Sequence, residues 1–312
     1  MSRPKKYWRK LRILEEWLIA LAAPPLIFLL RVVPLSWIYP MGRAAGRLFG
    51  VSLRRRKKIA LANLRLVFGT SKTEWEIRRI YRAFLARAVV NSLEIIKFAL
   101  LPPEVMRERI EIVGRENLER AVKRGKGVIA VSVHLGNFPV IGSRLASEGY
   151  RFAFILKYPR NREMTALIER YRKHVGISLI DGWNKRFAAQ ASLQQLRDGG
   201  ILCILLDQNP PYADVMVDFF GYPVPSFKGP VILAARTEAA VLPIFMVGNV
   251  GARHTIVIEK PFRLEMTGDK ERDTIQNLSR LVKLTEKYVE QYPDQWWWWH
   301  RRWKKHIDYK HL

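Results

Sequence analysis

Short, continuous apolar runs alternate with helical patterns after residue 100, and this alternation limits the fold more than any other feature. The first run, Gly127–Val133, is typical of a strand buried on both faces of a sheet. Further runs of this kind are Phe152–Leu156, Ile177–Ile180, Ile201–Leu206, Val241–Val247 and Thr255–Ile258. The helical patterns between them are Val140–Ser147, Glu163–His174, Lys185–Arg197 and Gly229–Thr237. We therefore predict an α/β fold with a mostly parallel sheet flanked by helices.

Helical patterns also surround this alternating region. Arg54–Phe68 predicts a basic amphipathic helix, Thr73–Leu100 a long helix, and Asp269–Gln291 a last helix. A short strand at Ile110–Val113 and a helix at Arg115–Lys123 precede the first apolar run. Without internal repeats or a low-complexity linker after residue 100, we divide the chain into a basic, apolar N-terminal segment (1–50) and one large domain (51–312).

The N-terminal segment combines positive charge with apolar sequence. The chain carries 54 Lys and Arg against 28 Asp and Glu, a formal charge of +26, and basic clusters lie at 1–12, at 43–58 and at 301–305. Between the first two clusters, Trp17–Leu30 carries no charge, and Trp8, Trp17, Trp37 and Tyr39 lie near its edges. This pattern favours contact with anionic lipid, as a single-pass anchor over about Trp17–Val33 or as a re-entrant or interfacial hairpin, since Pro24-Pro25 should break or kink a helix. A buried core helix is the alternative.

The composition argues against other classes of protein. The basic residues flank an apolar segment instead of alternating with aromatics on a strand, which disfavours a nucleic-acid partner. One cysteine, Cys203, excludes an internal disulfide framework, and it lies inside an apolar strand. Six scattered histidines show no zinc-ligand spacing, so we predict no metal site.

His134 is the strongest catalytic candidate because it directly follows the first buried strand. Open α/β sheets bind ligands at this position. Asn137 is expected to cap a helix whose first turn contains Pro139, so that free backbone N–H groups near His134 could stabilise an oxyanion. A histidine whose hydrogen bonds are satisfied within a loop is the alternative.

Five ordered segments resemble the late acyltransferases of lipid A biosynthesis, the lauroyl/myristoyl acyltransferase family. They are His134-Leu-Gly-Asn-Phe138, the basic helix with Arg54-Arg55-Arg56, Asn63-Leu64 and Phe68, Asp207-Gln208-Asn209, the block from Val217 to Pro243, and the ending Gln295-Trp to Trp299-His300-Arg301-Arg302-Trp303-Lys304. The resemblance covers about residues 10–305 and implies a glycerolipid-acyltransferase-like fold. It also implies acyl transfer from a thioester carrier to a lipid hydroxyl, with His134 as the base.

One position departs from the family's pattern. The family carries an acid five residues after the histidine, where this chain has Pro139. An acid at that place would orient the imidazole and stabilise its protonated form. Asp207, at the end of a neighbouring strand, is our first choice for a replacement and Glu94 the second. The other possibilities are that His134 works unassisted, or that the protein is a non-catalytic relative.

The resemblance implies further binding residues and partners. We expect Gly136, Asn137 and Gln208 to line the site. We also expect Arg170 or Arg172, together with Lys228 and Arg236, to bind anionic groups, although a solvated helix face is the plainer interpretation of each helix arginine. The expected co-substrate is acyl-ACP or acyl-CoA, with no metal or redox cofactor.

The partners that the resemblance implies are acidic acyl carrier protein, anionic membrane lipid and a glycolipid acceptor such as a lipid A precursor. The implied location is the bacterial inner membrane, with the catalytic domain on the cytoplasmic side. A lysophospholipid or an amino lipid is the alternative acceptor. Because Trp296–Trp299 cannot all point inward from one helix, some of these tryptophans are expected at the membrane interface or along an acyl channel.

Overall fold

A seven-stranded sheet forms the centre of the protein, as described by a computed structural model. The structure describes residues 5–210, 215–249 and 251–312, without the side chains of 5–15, 18 and 47–52. The strands are β1 Ile110–Val113, β2 Val128–Ser132, β3 Phe152–Leu156, β4 Ser178–Asp181, β5 Ile201–Leu205, β6 Val215–Phe219, β7 Tyr222–Ser226, β8 Ala240–Gly248 and β9 His254–Ile258. Their order in the sheet is β1-β9-β8-β2-β5-β3-β4, and β6 and β7 form a separate hairpin.

The helices cover both faces of this sheet. They are α1 Lys5–Val32, α2 Leu35–Ser52, α3 Arg54–Phe68, α4 Glu74–Leu100, α5 Pro103–Arg109, α6 Arg115–Lys123, α7 Pro139–Ala146, α8 Arg162–Val175, α9 Lys185–Arg197, α10 Gly229–Thr237 and α11 Lys270–Gln291. One hydrophobic core joins the sheet to α3, α9, α10 and α11, and a second core joins it to α6, α7 and α8. The predicted α/β class is therefore confirmed.

The strands β8, β2, β5, β3 and β4 run parallel to one another, while β8 and β9 pair antiparallel. Strands β2 and β8 are buried along their whole length, as expected for central strands of a covered sheet. The mostly parallel sheet predicted from the apolar runs is thus confirmed. Two features went unpredicted: helix α5 is only seven residues long, and the β6–β7 hairpin contains Pro223 and Pro225, which do not suggest strands.

Helices α1 and α2 pack against the long helix α4. A Cβ atom on Gly42 would lie 2.4 Å from Val90 Cγ2, and one on Gly46 would lie 3.1 Å from Ala86 Cα, so only glycine permits this close approach of α2. At the end of α1, the buried Lys97 ammonium donates hydrogen bonds to the carbonyls of Leu30 (2.7 Å) and Arg31 (3.3 Å). Burial lowers the pKa of Lys97. These contacts fix the N-terminal helices to the domain; the division at residue 50 stays a prediction.

The N-terminal helix differs from expectation at Pro24-Pro25. Helix α1 continues through both prolines, because the carbonyl groups that lose their partners there belong to the exposed residues Ala20 and Leu21. Across the described residues, no helix combines the length and apolarity that crossing a bilayer requires. A single-pass anchor over Trp17–Val33 is therefore not supported. The basic residues of 1–12 belong to the part whose side chains are not described.

Candidate active site

The catalytic candidate His134 lies two residues beyond the end of β2, and Asp207 lies two residues beyond the end of β5. Strands β2 and β5 are parallel neighbours in register, with Ser132 opposite Leu205, so the two residues meet at the carboxyl edge of the sheet. His134 Nδ1 lies 2.8 Å from Asp207 Oδ1, and the backbone N–H of His134 donates to Asp207 Oδ2 at 2.9 Å. We call this pair the dyad.

The hydrogen bonds of the dyad favour one tautomer of the imidazole. With Nδ1–H donating to the Asp207 carboxylate, Nε2 carries the lone pair, and the amide Nε2 of Gln208 is 3.0 Å from it, in position to donate. Nε2 is therefore the ring nitrogen that can accept a proton from a substrate. The His134 side chain keeps 19% of its surface exposed, whereas that of Asp207 keeps 2%.

Asp207 is held in its ionised form although it is buried. Burial raises the pKa of this carboxyl group, but attraction to His134, two hydrogen bonds from His134 and one from the Trp296 indole outweigh burial. The net pKa of Asp207 lies below its ordinary value. The Trp296 Nε1–H donates to Asp207 Oδ2 at 2.8 Å. A fixed, negatively charged Asp207 can orient His134 and stabilise an imidazolium ion.

The turn after His134 has a conformation that glycine permits. Gly136 has φ +56°, and a Cβ atom there would lie 2.4 Å from the Met246 carbonyl oxygen. Asn137 does not cap helix α7 as we expected: Phe138 is the N-cap residue, and Pro139 begins the helix. The reason is that the Asn137 side chain is fully buried and its amide donates to Glu94 Oε2 at 3.2 Å.

This turn also presents candidate oxyanion donors. Within the described part of the chain, the backbone N–H groups of Asn137 and Phe138 donate to no other group. They lie at the start of α7, whose dipole favours negative charge there. Phe138 also packs its ring edge-to-face against His134, with centroids 4.7 Å apart.

Glu94, our second choice to replace the missing acid, lies in another buried cluster. Besides accepting from Asn137, Glu94 Oε2 lies 2.9 Å from His254 Nε2, at ion-pair distance but away from the line of a hydrogen bond. Glu94 therefore binds the Asn137 side chain in the turn after His134. The carboxylate that contacts the imidazole is that of Asp207.

The remaining predicted binding residues are dispersed. Lys228 directly precedes α10, at the same carboxyl edge of the sheet as the dyad. Arg236 lies at the opposite edge, where the parallel strands begin, beside Lys126, Arg197 and Glu238. Arg172 is paired with Glu169, and exposed Arg170 lies on the same helix, α8, which leads away from the carboxyl edge. The structure thus does not bring Arg170, Arg172 or Arg236 to the dyad, because each lies toward the far end of a crossover helix.

The C-terminal segment 295–303, which we call the tryptophan segment, encloses the dyad. It is not helical, and its four consecutive tryptophans alternate between buried and partly exposed positions. Trp296 and Trp298 are fully buried, whereas Trp297 and Trp299 keep part of their surface exposed. Its backbone also holds the turn after His134: Trp297 N–H donates to the His134 carbonyl, and Gly136 N–H donates to the Gln295 carbonyl, both at 3.0 Å.

The same segment fixes the loop after Asp207. His300 Nε2 accepts from the Asn209 N–H at 3.2 Å, and Arg302 donates to Asn209 Oδ1 at 2.8 Å. Burial lowers the pKa of His300 to about 4 and that of Arg302 to about 10. Arg302 is thus an internal residue and does not add to a basic surface. The sequence marked this segment as a family motif but gave no sign that it contacts residues 90 positions away.

Comparison with known proteins shows the family of the chain. The family model of bacterial lipid A biosynthesis acyltransferases matches residues 4–305. The chain belongs to this family. The Escherichia coli lipid A biosynthesis palmitoleoyltransferase is 26% identical over 303 residues, covering 95% of this chain and 90% of that protein. The Escherichia coli lipid A biosynthesis myristoyltransferase is 27% identical over 257 residues, covering 82% of this chain and 76% of that protein.

A second group of relatives acts on a different glycolipid. The phosphatidylinositol mannoside acyltransferase of Mycobacterium tuberculosis is 26% identical over 133 residues. This match covers 42% of each chain, so the protein spans less than half the length of that relative. The family resemblance predicted from the motifs is confirmed.

Proposed function

We propose that the protein transfers a fatty acyl chain from the thioester of acyl carrier protein to a hydroxyl group of a glycolipid, such as a lipid A precursor. The observation that carries the proposal is the dyad: an ionised, buried Asp207 holds His134 with its Nε2 lone pair at the carboxyl edge of the sheet. The match of the lipid A family along nearly the whole chain supports this choice of reaction and acceptor.

The proposed reaction uses this chain's own groups. His134 Nε2 removes the proton of the acceptor hydroxyl, whose oxygen attacks the thioester carbonyl carbon. The N–H groups of Asn137 and Phe138 stabilise the oxyanion, and Asp207 stabilises the imidazolium. When the tetrahedral intermediate collapses, the C–S bond breaks, the ester C–O bond remains, and the proton on His134 passes to the departing thiolate.

The surface of α3 supports acyl carrier protein as the donor. Residues Arg54–Lys58 are all exposed and form a basic face, and Arg56 donates to the Trp299 carbonyl at 3.4 Å, which places this face beside the tryptophan segment. An acidic carrier would be attracted to such a face. Neutralising Arg54, Arg55 and Lys58 should raise KM for acyl-ACP and leave KM for acyl-CoA, if it is used, unchanged.

The N-terminal helices support contact with a membrane surface, and we propose that this is the inner membrane, with the catalytic domain on its cytoplasmic side. Trp17, Leu21 and Phe28 on α1 and Trp37 on α2 expose most of their side chains. Exposed aromatic and aliphatic side chains close to basic residues are suited to an anionic bilayer surface. We infer that α1 and α2 lie on the membrane and bring the dyad to its lipid acceptor.

The mycobacterial relatives favour a second acceptor, a mannosylated phosphatidylinositol. Both acceptors are anionic glycolipids, so the dyad does not distinguish them. Incubating the purified protein with labelled acyl-ACP and each lipid in turn identifies the acceptor.

The test of the proposed reaction compares His134→Ala with His174→Ala, because His174 is exposed on α8 and distant from the dyad. Transfer to either glycolipid should disappear in the first variant and persist in the second. Equal transfer by the wild type and His134→Ala, or none by the wild type with any acceptor, would refute the proposal.

A further inference from the structure

An exposed patch of aromatic and basic residues lies at the same carboxyl edge of the sheet as the dyad. Extending the observed registers beyond the strand ends places four residues at one level of the carboxyl edge: His134 after β2, Asp207 after β5, Tyr158 after β3 and Trp183 after β4. The distance from β2 to β4 is three strand spacings, or about 14 Å. Trp183 therefore lies on the same edge as the reaction centre.

Trp183 is exposed and yet held in place. It keeps 55% of its surface accessible, while its indole N–H donates to the Tyr158 carbonyl at 2.7 Å and its backbone N–H donates to Asp181 Oδ1 at 2.9 Å. Phe187, four residues later in the first turn of α9, keeps 52% of its surface exposed. A fixed indole and a second exposed ring in water are unfavourable unless they meet a ligand or a partner.

Two cations accompany the indole ring. Lys157 Nζ lies 5.3 Å and Arg160 Cζ 5.9 Å from the ring centroid of Trp183. Within the described residues, neither cation is paired with an acidic side chain. We call Lys157, Arg160, Trp183 and Phe187 the edge patch. It offers an aromatic surface for the apolar face of a sugar ring and two positive charges for an anionic group.

We propose that the edge patch binds the phosphorylated sugar headgroup of the acceptor lipid and so determines which hydroxyl reaches His134. This inference rests on the proposed acyl transfer, because it assigns a binding site to the acceptor of that reaction. A sugar ring stacks on Trp183, Lys157 and Arg160 bind its phosphate, and the rest of the headgroup extends along the edge toward the dyad.

The chain offers a matched control for this proposal. Trp75 on α4 is also exposed (61%), and Arg79 Cζ lies 5.1 Å from its ring centroid. Unlike Trp183, Trp75 lies outside the carboxyl edge of the sheet. Trp75→Ala removes the same chemical group from the surface without touching the edge patch. The double variant Lys157→Gln, Arg160→Gln tests the charges separately from the ring.

The experiment measures transfer kinetics with a phosphorylated lipid-linked disaccharide and with its dephosphorylated form. Trp183→Ala should raise KM for both acceptors at least tenfold without changing KM for acyl-ACP, and Trp75→Ala should change neither. The charge variant should raise KM only for the phosphorylated acceptor. Unchanged acceptor KM in Trp183→Ala, or an equal effect of the charge variant on both acceptors, would overturn the proposal.

Two further measurements separate the edge patch from the reaction and from the membrane. Binding of the phosphorylated acceptor to His134→Ala, followed by tryptophan fluorescence, reports on the patch even if no transfer occurs, and it should weaken in the Trp183→Ala background. Binding to anionic vesicles without the acceptor should be the same with and without Trp183. Equal loss of both kinds of binding would show a general lipid contact and would contradict a headgroup site.

Discussion

Both ends of the chain contain several tryptophans, but the burial of their side chains differs. In the tryptophan segment, the indole N–H groups of Trp296, Trp298 and Trp303 each donate to a buried or half-buried acceptor, and all three rings are fully buried. On α1 and α2, Trp17 (71%) and Trp37 (62%) are exposed. A tryptophan ring can be fully buried at low cost when its N–H has a partner, as it has for these three rings of the tryptophan segment.

This difference assigns separate roles to the two ends. The tryptophan segment surrounds the dyad and holds the backbone at His134 and Asn209, so its buried aromatic residues help to form the candidate active site. The N-terminal aromatics contact no such group and remain available to a membrane. The expectation that some of Trp296–Trp299 meet a lipid now concerns only Trp297 and Trp299, which are not fully buried.

The largest expected effect comes from removing the charge that the tryptophan segment encloses. Asp207→Asn should lower kcat by about 10³- to 10⁴-fold, because the amide cannot stabilise an imidazolium and can hold the wrong tautomer. Asp198→Asn, at the exposed end of α9, is the control. A kcat within threefold of the wild type would mean that His134 works without an acid.

The pH dependence of stability tests the burial of the C-terminal end. The pKa of His300 falls from 6.5 to about 4 on folding, so the unfolded chain binds more protons below pH 6.5. Stability from neutral His300 is present above pH 6.5 and is lost as the pH falls toward 4, by about 3 kcal/mol at most. Denaturant unfolding at pH 7 and pH 4.5 should show a smaller loss for His300→Gln. An equal loss would mean that His300 is accessible to water.

A smaller effect is expected from the single hydrogen bond that joins the tryptophan segment to the dyad. Trp296→Phe keeps an aromatic ring but removes the donor to Asp207, and hydrogen bonds to charged groups contribute about 1.5–3 kcal/mol. We therefore expect kcat to fall by about 10- to 100-fold with little change in KM. Trp297→Phe serves as the control. If both variants behave alike, the segment contributes packing and not the placement of Asp207.

The smallest effect should come from the N-terminal end. Trp17→Ala with Phe28→Ala should weaken binding to anionic vesicles by about tenfold, on the order expected when two partly inserted side chains are removed. Thioester hydrolysis in the absence of membrane should stay the same. A fall in this soluble activity would show that α1 also shapes the catalytic centre, and the comparison between the two ends would fail.

Helix and strand positions could largely be predicted, because each depends on a local pattern. Helices α3, α9 and α10 and strand β3 begin and end at the predicted residues. The β6–β7 hairpin was missed, since its prolines occupy a two-stranded unit outside the main sheet. The continuation of α1 through Pro24-Pro25 was also missed, because the cost of two prolines depends on whether the freed carbonyls are exposed.

In the candidate site, too, local sequence predicted individual residues, whereas their contacts depend on the fold. Position after a buried strand predicted His134 and Asp207 individually, and parallel pairing of β2 with β5 brings them together. Arg170, Arg172 and Arg236 have the right chemistry for an anion, but the direction of their helices carries them away from the dyad. A residue on a crossover helix lies near the dyad only if it is at the helix end that meets the carboxyl edge. The order and direction of the strands in the assembled sheet decide which end that is.

The sequence by itself determined the class of fold, the family and the histidine at the end of a buried strand, because strand periodicity and ordered motifs are properties of neighbouring residues. Tertiary structure alone decided which carboxylate contacts the imidazole, and which tryptophans are buried. The contacts of Asp207 with His134 and with Trp296 join residues more than 70 positions apart. Such bonds form only where the fold brings donor and acceptor together away from water.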